Sequence, residues 1–387
     1  MNLAIKKNKI IDILLLLLYS LSIVFASDPI LNQLSLYVII PIMGIIVFII
    51  NYKVYFSNKY IYLYLFLLLW MFITSLSAEN TDQAFRQMTR MMSCYILAVI
   101  SFYISSRNRN YVWLYVLFII YFVMLIYTTS KNEGFVIAQS ANDREQFDTN
   151  ANAYAYFLFY MSFALIMLLN IYKKGKIILG IIASIFIAIL SIYLALVTAS
   201  RQVLLIQIPF ICLILLLIYF KPNPKNITLF ILLLAVVLIY GLPIFNEYYS
   251  NSFLAVRSEE ALTEDSRFYL IVKGLEEGIK HPIFGLGPNN FVLKYDAYTH
   301  CSYTELFVCS GLPALFLYLA IIYRFITKNI GMYRKTKDKI FNLFVIFGFI
   351  FSLYNFLYVF VGNLWLMAFF YVILGHSENY YRRYYNK

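Results

Sequence analysis

Two stretches of the chain hold residue types suited to proton transfer and anion binding. The first, YTHCSYTELFVCSG (Tyr298–Gly311), sets His300 beside a run of hydroxyls and five residues before Glu305. An imidazole titrates near neutrality and can take a proton from an attacking hydroxyl. Glu305 opens an apolar run, where an unpaired carboxylate is costly, so it is expected to pair and to support His300. The second, TASRQ (Thr198–Gln202), holds Arg201 between the apolar runs SIYLALV and VLLIQIPF. A cation at membrane depth costs about 2.5–3.5 kcal/mol on insertion scales and marks a site. Its planar guanidinium suits bidentate binding of phosphate oxygens.

Weaker signals surround these two. HPIFGLGPNNF (His281–Phe291) predicts a tight turn at Gly285, Gly287 and Pro288, followed by Asn289, whose backbone amides are expected to form an anion-binding nest. NDREQFDTNANAYAYF (Asn142–Phe157) brings Arg144 and Asn152 to the start of an apolar run, where Asn152 needs a partner. Arg86, Arg90 and Arg267 are further candidates for holding an anion. Two histidines with scattered acids fall short of a metal site, and the four cysteines lack CxxC spacing. No metal and no cofactor are expected.

The elements that must carry these residues are membrane helices. Of 387 residues 62% are hydrophobic and only 13% charged, against about 25% charged in soluble domains. Apolar runs predict twelve spans of roughly 20 residues, near 10–27, 30–50, 60–77, 91–106, 111–129, 153–172, 177–198, 203–220, 227–246, 305–325, 340–360 and 362–376. The first is read as an uncleaved helix. With both termini cytoplasmic, most of the 31 basic residues fall inside and most of the 19 acids outside, as the positive-inside rule requires. The +12 charge is thereby a topological signal and calls for no nucleic acid. The whole chain, 1–387, reads as one integral membrane domain, an all-α polytopic protein with a large outer loop at 247–304.

Two shorter outer loops are expected at 78–90 and 130–152. Arginine outnumbers lysine outside, and lysine outnumbers arginine inside, which favours an anionic ligand at the outer face. Within the large loop, 263–280 predicts an amphipathic helix with Phe268, Ile271, Val272, Leu275 and Ile279 on one face, against the membrane or over a cavity. The 36 tyrosines and 35 phenylalanines are read as interfacial belts and lipid-facing side chains.

Taken in order, these motifs resemble the superfamily of O-antigen ligases and Wzy-type O-antigen or capsule polymerases. The resemblance rests on Asn152–Ala155, Thr198–Arg201, His281–Pro288 and His300–Glu305, and covers about residues 142–325. It implies glycan transfer from a polyprenyl pyrophosphate to a sugar hydroxyl, without a metal, at the outer face of the bacterial inner membrane. In that chemistry Arg201, with Arg267 and Arg86, Arg90 or Arg144, neutralises the departing pyrophosphate. His300 takes the acceptor proton with Glu305 in support, and Asn152, Gly285, Gly287 and Asn289 help to bind. Polyprenyl-linked glycans and membrane lipid are the expected partners, with a chain-length regulator and other glycan-assembly proteins beside them. The Asn-, Lys-, Ile- and Tyr-rich composition favours a repeat-unit polymerase over a ligase acting on lipid A–core. A twelve-span lipid-glycan transporter is the reading from another class, disfavoured by the short link at Lys173–Lys176 and the late outer loop.

Overall fold

The structure, a computed structural model, describes residues 2–26, 31–56, 58–106, 111–132, 136–140, 151–172, 177–220, 223–259 and 266–385. Fifteen helical segments occur among them: α1 (Asn2–Ala26), α2 (Asn32–Phe56, including a π and a 3-10 turn), α3 (Lys59–Leu76), α4 (Thr81–Ser106), α5 (Tyr111–Asn132), α6 (Ala153–Tyr172), α7 (Ile177–Thr198), α8 (Arg201–Phe220), α9 (Pro224–Ser250), α10 (Phe253–Glu259), α11 (Ser266–Lys280), α12 (Asn290–Tyr295), α13 (Ser302–Thr336), α14 (Lys339–Leu357) and α15 (Leu364–Tyr385). The protein is an all-α polytopic membrane protein. Nine of these helices, α2 to α8, α13 and α14, are long and apolar enough among the described residues to cross a bilayer. The other three predicted spans lie in α1, α9 and α15.

Helix starts follow local capping. Asn58 accepts the Tyr60 N–H at 2.9 Å to open α3, and Asp338 accepts the Ile340 N–H at 3.0 Å to open α14. Asn80 accepts the Gln83 N–H at 3.0 Å, so α4 begins at Thr81 and the expected loop at 78–90 is mostly helix. The apolar run begins only near Met91, which hid two polar turns carrying Arg86 and Arg90. The spacing Asn80–Gln83, close to a capping box, was the missed signal.

The chain divides into two compact units. The first comprises Met1–Leu114, Thr263–Lys328 and Phe351–Lys387. Here α15 and α3 pack along α4, with α1 and α2 beside them. Buried Tyr19 donates to the Ala368 carbonyl at 3.0 Å and bonds Ser101 at 2.7 Å, tying α1 to α15 and α4. Tyr318 donates to Asn355 at 2.7 Å.

The second unit comprises Tyr115–Leu262 and Asn329–Ile350. Phe159 of α6 stacks on Phe347 of α14 and meets Phe210 of α8 edge-on, each at 5.3 Å. Gly180 lets α7 approach Tyr219, whose ring lies 2.0 Å from where a Cβ would stand.

These contacts correct the reading of the aromatics as belts alone. Tyr19, Tyr103, Tyr115, Tyr154, Tyr156, Tyr160, Tyr318, Tyr354 and Tyr371 are fully buried. A phenol supplies a large apolar body and a hydroxyl that finds a partner inside the bundle, which a composition count cannot separate from an interfacial role.

Candidate functional site

Each unit gathers part of the predicted set. In the second unit, α7 ends at Thr198 and α8 starts at Arg201. The chain turns there through Ala199, whose φ of 45° is left-handed, with Ser200 N–H returning to the Ala195 carbonyl at 3.2 Å. Asn152 is 5% exposed, and its Oδ1 accepts the Ser200 hydroxyl at 3.0 Å. One turn along α6, Tyr156 donates to Gln202 Oε1 at 2.7 Å. Asn152, just before α6, and Tyr156, four residues on, thus hold the residues on either side of Arg201. Arg257, not singled out from the sequence, donates to the Ala199 carbonyl at 2.8 Å. Arg201 is half-buried at the first position of its helix. Guanidinium charge and the positive end of a helix dipole favour an anion together. Arg144 lies outside the described residues.

In the first unit, the short run after His300 is a broken helix. Gly311 has φ 74° and ψ −179°, which divides α13 into Ser302–Ser310 and a longer part from Leu312. A break inside a span leaves backbone groups that must be satisfied by protein. The HPIFGLGP loop does this: Leu286 N–H donates to the Val308 carbonyl, and Leu312 N–H to the Pro282 carbonyl, both at 2.8 Å. Trp70 Nε1 donates to the Ser310 carbonyl at 2.8 Å, and its ring stacks on Phe284.

Part of the backbone expected to form an anion nest is engaged within the protein. The Gly285 amide bonds the His281 carbonyl, and the Leu286 amide is spent on Val308. A Cβ on Gly285 would stand 2.5 Å from the Cys309 and Ser310 backbone, and one on Gly287 would stand 2.3 Å from Ala78. Both glycines serve close packing at positive φ, 66° and 94°. Beneath the loop, Leu270, Phe291, Val308 and Cys309 form a small apolar core.

The amphipathic helix is present as α11, and the face it packs against protein is the one opposite the apolar stripe. Gly274 and Gly278 approach Thr299, Thr304 and Phe307 so closely that a Cβ would meet atoms at 2.6 Å, and Leu270 and Glu277 are buried with them. Phe268, Leu275 and Ile279 point away, 49%, 43% and 71% exposed. Close helix approach selects small residues, so the apolar stripe stays outward.

Glu277 sits under the loop, accepting Lys280 at 2.9 Å, Lys294 at 2.8 Å and Tyr295 at 3.2 Å. These lysines hold its carboxyl at about 2, below the usual carboxylate range.

His300 is half-buried and left-handed, φ 58°. Its ring lies 4.2 Å from that of Tyr298. Glu305 Oε2 accepts both the N–H and the hydroxyl of Thr299 at 2.9 Å, and Oε1 accepts the Cys309 thiol at 3.5 Å. Cys301 and Cys309 are free thiols.

A cavity of about 270 Å³ opens beside this turn, with Arg90, Asn289, Glu305 and Tyr298 on its wall. Asn289 also donates to Gln83 at 3.2 Å. Arg267 is half-buried at the start of α11 and bears on Tyr358 of the cavity wall. Burial pushes that phenol up, Tyr298 adds to the rise, and the guanidinium opposes it. Arg86 is exposed on α4 and does not line the cavity. Asn290, unremarked in the sequence, binds the Asn80 N–H at 2.8 Å and its carbonyl at 3.2 Å, fixing the start of α12 to the α3–α4 turn.

The described side chains therefore offer a base candidate beside a polar cavity in one unit and a framed arginine in the other. A search of curated proteins finds no match to the chain. Residues 186–319, which hold Arg201, Arg257, the glycine loop, His300 and Glu305, match the family model Wzy_C, O-antigen ligase, a match consistent with the O-antigen polymerase and ligase superfamily.

Proposed function

We propose that the chain polymerises glycan repeat units, O-antigen or capsule, by moving glycan from a polyprenyl pyrophosphate donor to a sugar hydroxyl of a lipid-linked acceptor. The reaction takes place at the outer face of the bacterial inner membrane and needs no metal. The acceptor oxygen forms the new bond to the anomeric carbon, and the bond from that carbon to the phosphate oxygen breaks. The electron pair leaves with the pyrophosphate, and the acceptor proton passes to His300.

The observation that carries the reading is Arg201 at the head of α8, framed by Asn152–Ser200 and Tyr156–Gln202 within the matched segment or against it. With the residues on either side of it fixed, Arg201 is the cation we assign to the charge that develops on a leaving pyrophosphate. A ligase acting on lipid A–core is the second reading, favoured by the description of the matched family.

The deciding experiment compares the polyprenyl-linked glycans of cells lacking the protein with those of complemented cells. Accumulated single repeats support polymerisation. Accumulated long polymers, missing from their final acceptor, support ligation. Unchanged pools defeat both and leave the transporter reading.

A further inference from the structure

The cavity whose wall includes Tyr298, the ring neighbour of His300, is lined by groups that suit a sugar better than a pyrophosphate. Gln87, Asn289 and Asn363 present amides, each able to donate and accept, which matches a ring of hydroxyls. Trp365, Tyr298 and Tyr358 supply aromatic surface, on which the C–H face of a pyranose can pack. Arg90 is the one cation on the wall, an exposed guanidinium whose N–H groups suit ring substituents. Glu305 reaches the wall, but Thr299 and Cys309 already engage both its oxygens. At about 270 Å³ the space lies near the lower end of small-molecule sites, roughly 300–1,000 Å³. That suits a single sugar residue, not an oligosaccharide.

The origin of the wall is informative. Gln87, Arg90, Tyr358, Asn363 and Trp365 all lie outside the segment 186–319 that matches the family. Tyr298 and Asn289 lie inside it and connect the cavity to the turn carrying His300. Chemistry common to a family resides in the shared segment, and discrimination among substrates in what surrounds it.

We propose that this cavity is the subsite for the terminal sugar of the acceptor, with Trp365 as its stacking platform and Gln87, Asn289 and Asn363 reading the hydroxyls. The inference rests on the transfer reading above. It makes Trp365, Gln87 and Asn363 specificity-determining residues, and it moves Arg90 from the donor pyrophosphate to the acceptor.

The test uses the full chain, purified in detergent, with the repeat-unit oligosaccharide freed from its lipid as probe. Of the three tryptophans, Trp70, Trp113 and Trp365, only Trp365 lines the cavity. The probe should shift tryptophan emission saturably in the wild type, and the shift should vanish in Trp365→Phe. In transfer assays, Trp365→Ala, Gln87→Ala and Asn363→Ala should each raise the acceptor KM about tenfold while the donor KM holds. Trp365→Phe, which keeps a ring, should recover part of the loss. Gln87 and Asn363 are only half-buried, so their variants keep the test open if Trp365→Ala fails to fold. A raised donor KM with an unchanged acceptor KM overturns the assignment, as does an active wild type whose emission ignores the probe. Saturable binding by a wild type that transfers nothing would support the sugar site and remove the transfer reading instead.

Discussion

Glu305 holds Thr299 through two hydrogen bonds to one carboxylate oxygen, from the N–H and the hydroxyl, each at 2.9 Å. Thr299 is fully buried and immediately precedes His300, whose backbone is left-handed. A non-glycine residue kept in that region costs about 1–3 kcal/mol unless its surroundings hold it there. Glu305 fixes the residue before that backbone, and on the proposed reading it positions His300.

Glu305→Gln retains an oxygen able to accept from Thr299 and should keep most of the activity. Glu305→Ala leaves a buried N–H unpaired, at about 1–3 kcal/mol, and should lower kcat without moving the pH–rate profile. If Glu305→Gln were as inactive as Glu305→Ala, with one limb of the profile lost, Glu305 would be a proton carrier.

Gly311 should be the least replaceable residue of the broken helix. Its φ of 74° with ψ of −179° is a conformation open essentially to glycine. An added Cβ would lie 1.9 Å from the Ile283 carbonyl oxygen. Gly311→Ala should therefore separate the loop from the helix break and cost roughly 3 kcal/mol or more. Gly331→Ala, at a helical glycine with open space around it, is the control. Membrane abundance and the midpoint of thermal unfolding in detergent would separate the two, and equal midpoints would show that the loop does not need its close contact.

The helices and their order were legible because an apolar run of span length has few alternatives in a membrane. The conjunction of Asn152 with Ser200 was legible only as two motifs. Their hydrogen bond joins residues 48 positions apart, and nothing local to either specifies the other. Arg257 was indistinguishable from other loop arginines because its partner is a backbone carbonyl, which has no sequence signature. The glycines of the HPIFGLGP loop were visible, but their part in close packing was not. Positive φ serves an anion nest and a close approach equally well, and the choice rests on a helix break 26 residues later, at Gly311. For α11, periodicity located the apolar stripe, but glycines carry no hydrophobic signal and so concealed the face that packs.

Low pH should loosen the loop through Glu277. Lys294 and Lys280 depress its carboxyl to about 2 from an ordinary 4.5. A depressed carboxylate contributes stability that is present above the unfolded-state value and is lost as pH falls through the folded one. Loop packing should thus be pH-independent above about 5 and weaken progressively from there toward pH 2. The lysine side of the pair acts in the alkaline range. Glu277 raises Lys294, and that contribution is lost only as pH rises through the elevated value. Glu277→Gln should flatten the acid response while leaving the neutral fold in place. Hydrogen exchange of α11 and α12 measured between pH 5 and 3 is the readout, and an identical slope in the variant would assign the response to other carboxylates.

Arg201 and Asn152 should fail in different ways. Arg201→Ala removes the charge held toward a departing pyrophosphate, and a transition-state contact of this type is worth about 10²–10³ in kcat. Arg201→Lys keeps the charge but loses the planar fork, so it should remain impaired where bidentate contact matters. Asn152→Ala leaves Arg201 in place but deprives the buried Ser200 hydroxyl of its acceptor. It should cost about 1–3 kcal/mol in stability, with a smaller and temperature-dependent loss of activity. His300→Ala removes the proposed general base, worth about 10²–10⁴ in rate, and should lower transfer far more than the unfolding midpoint. Single-turnover transfer rates compared with unfolding midpoints distinguish the cases. Full activity in Arg201→Ala with a normal midpoint would remove the guanidinium from the chemistry and leave the α6 contacts as packing alone.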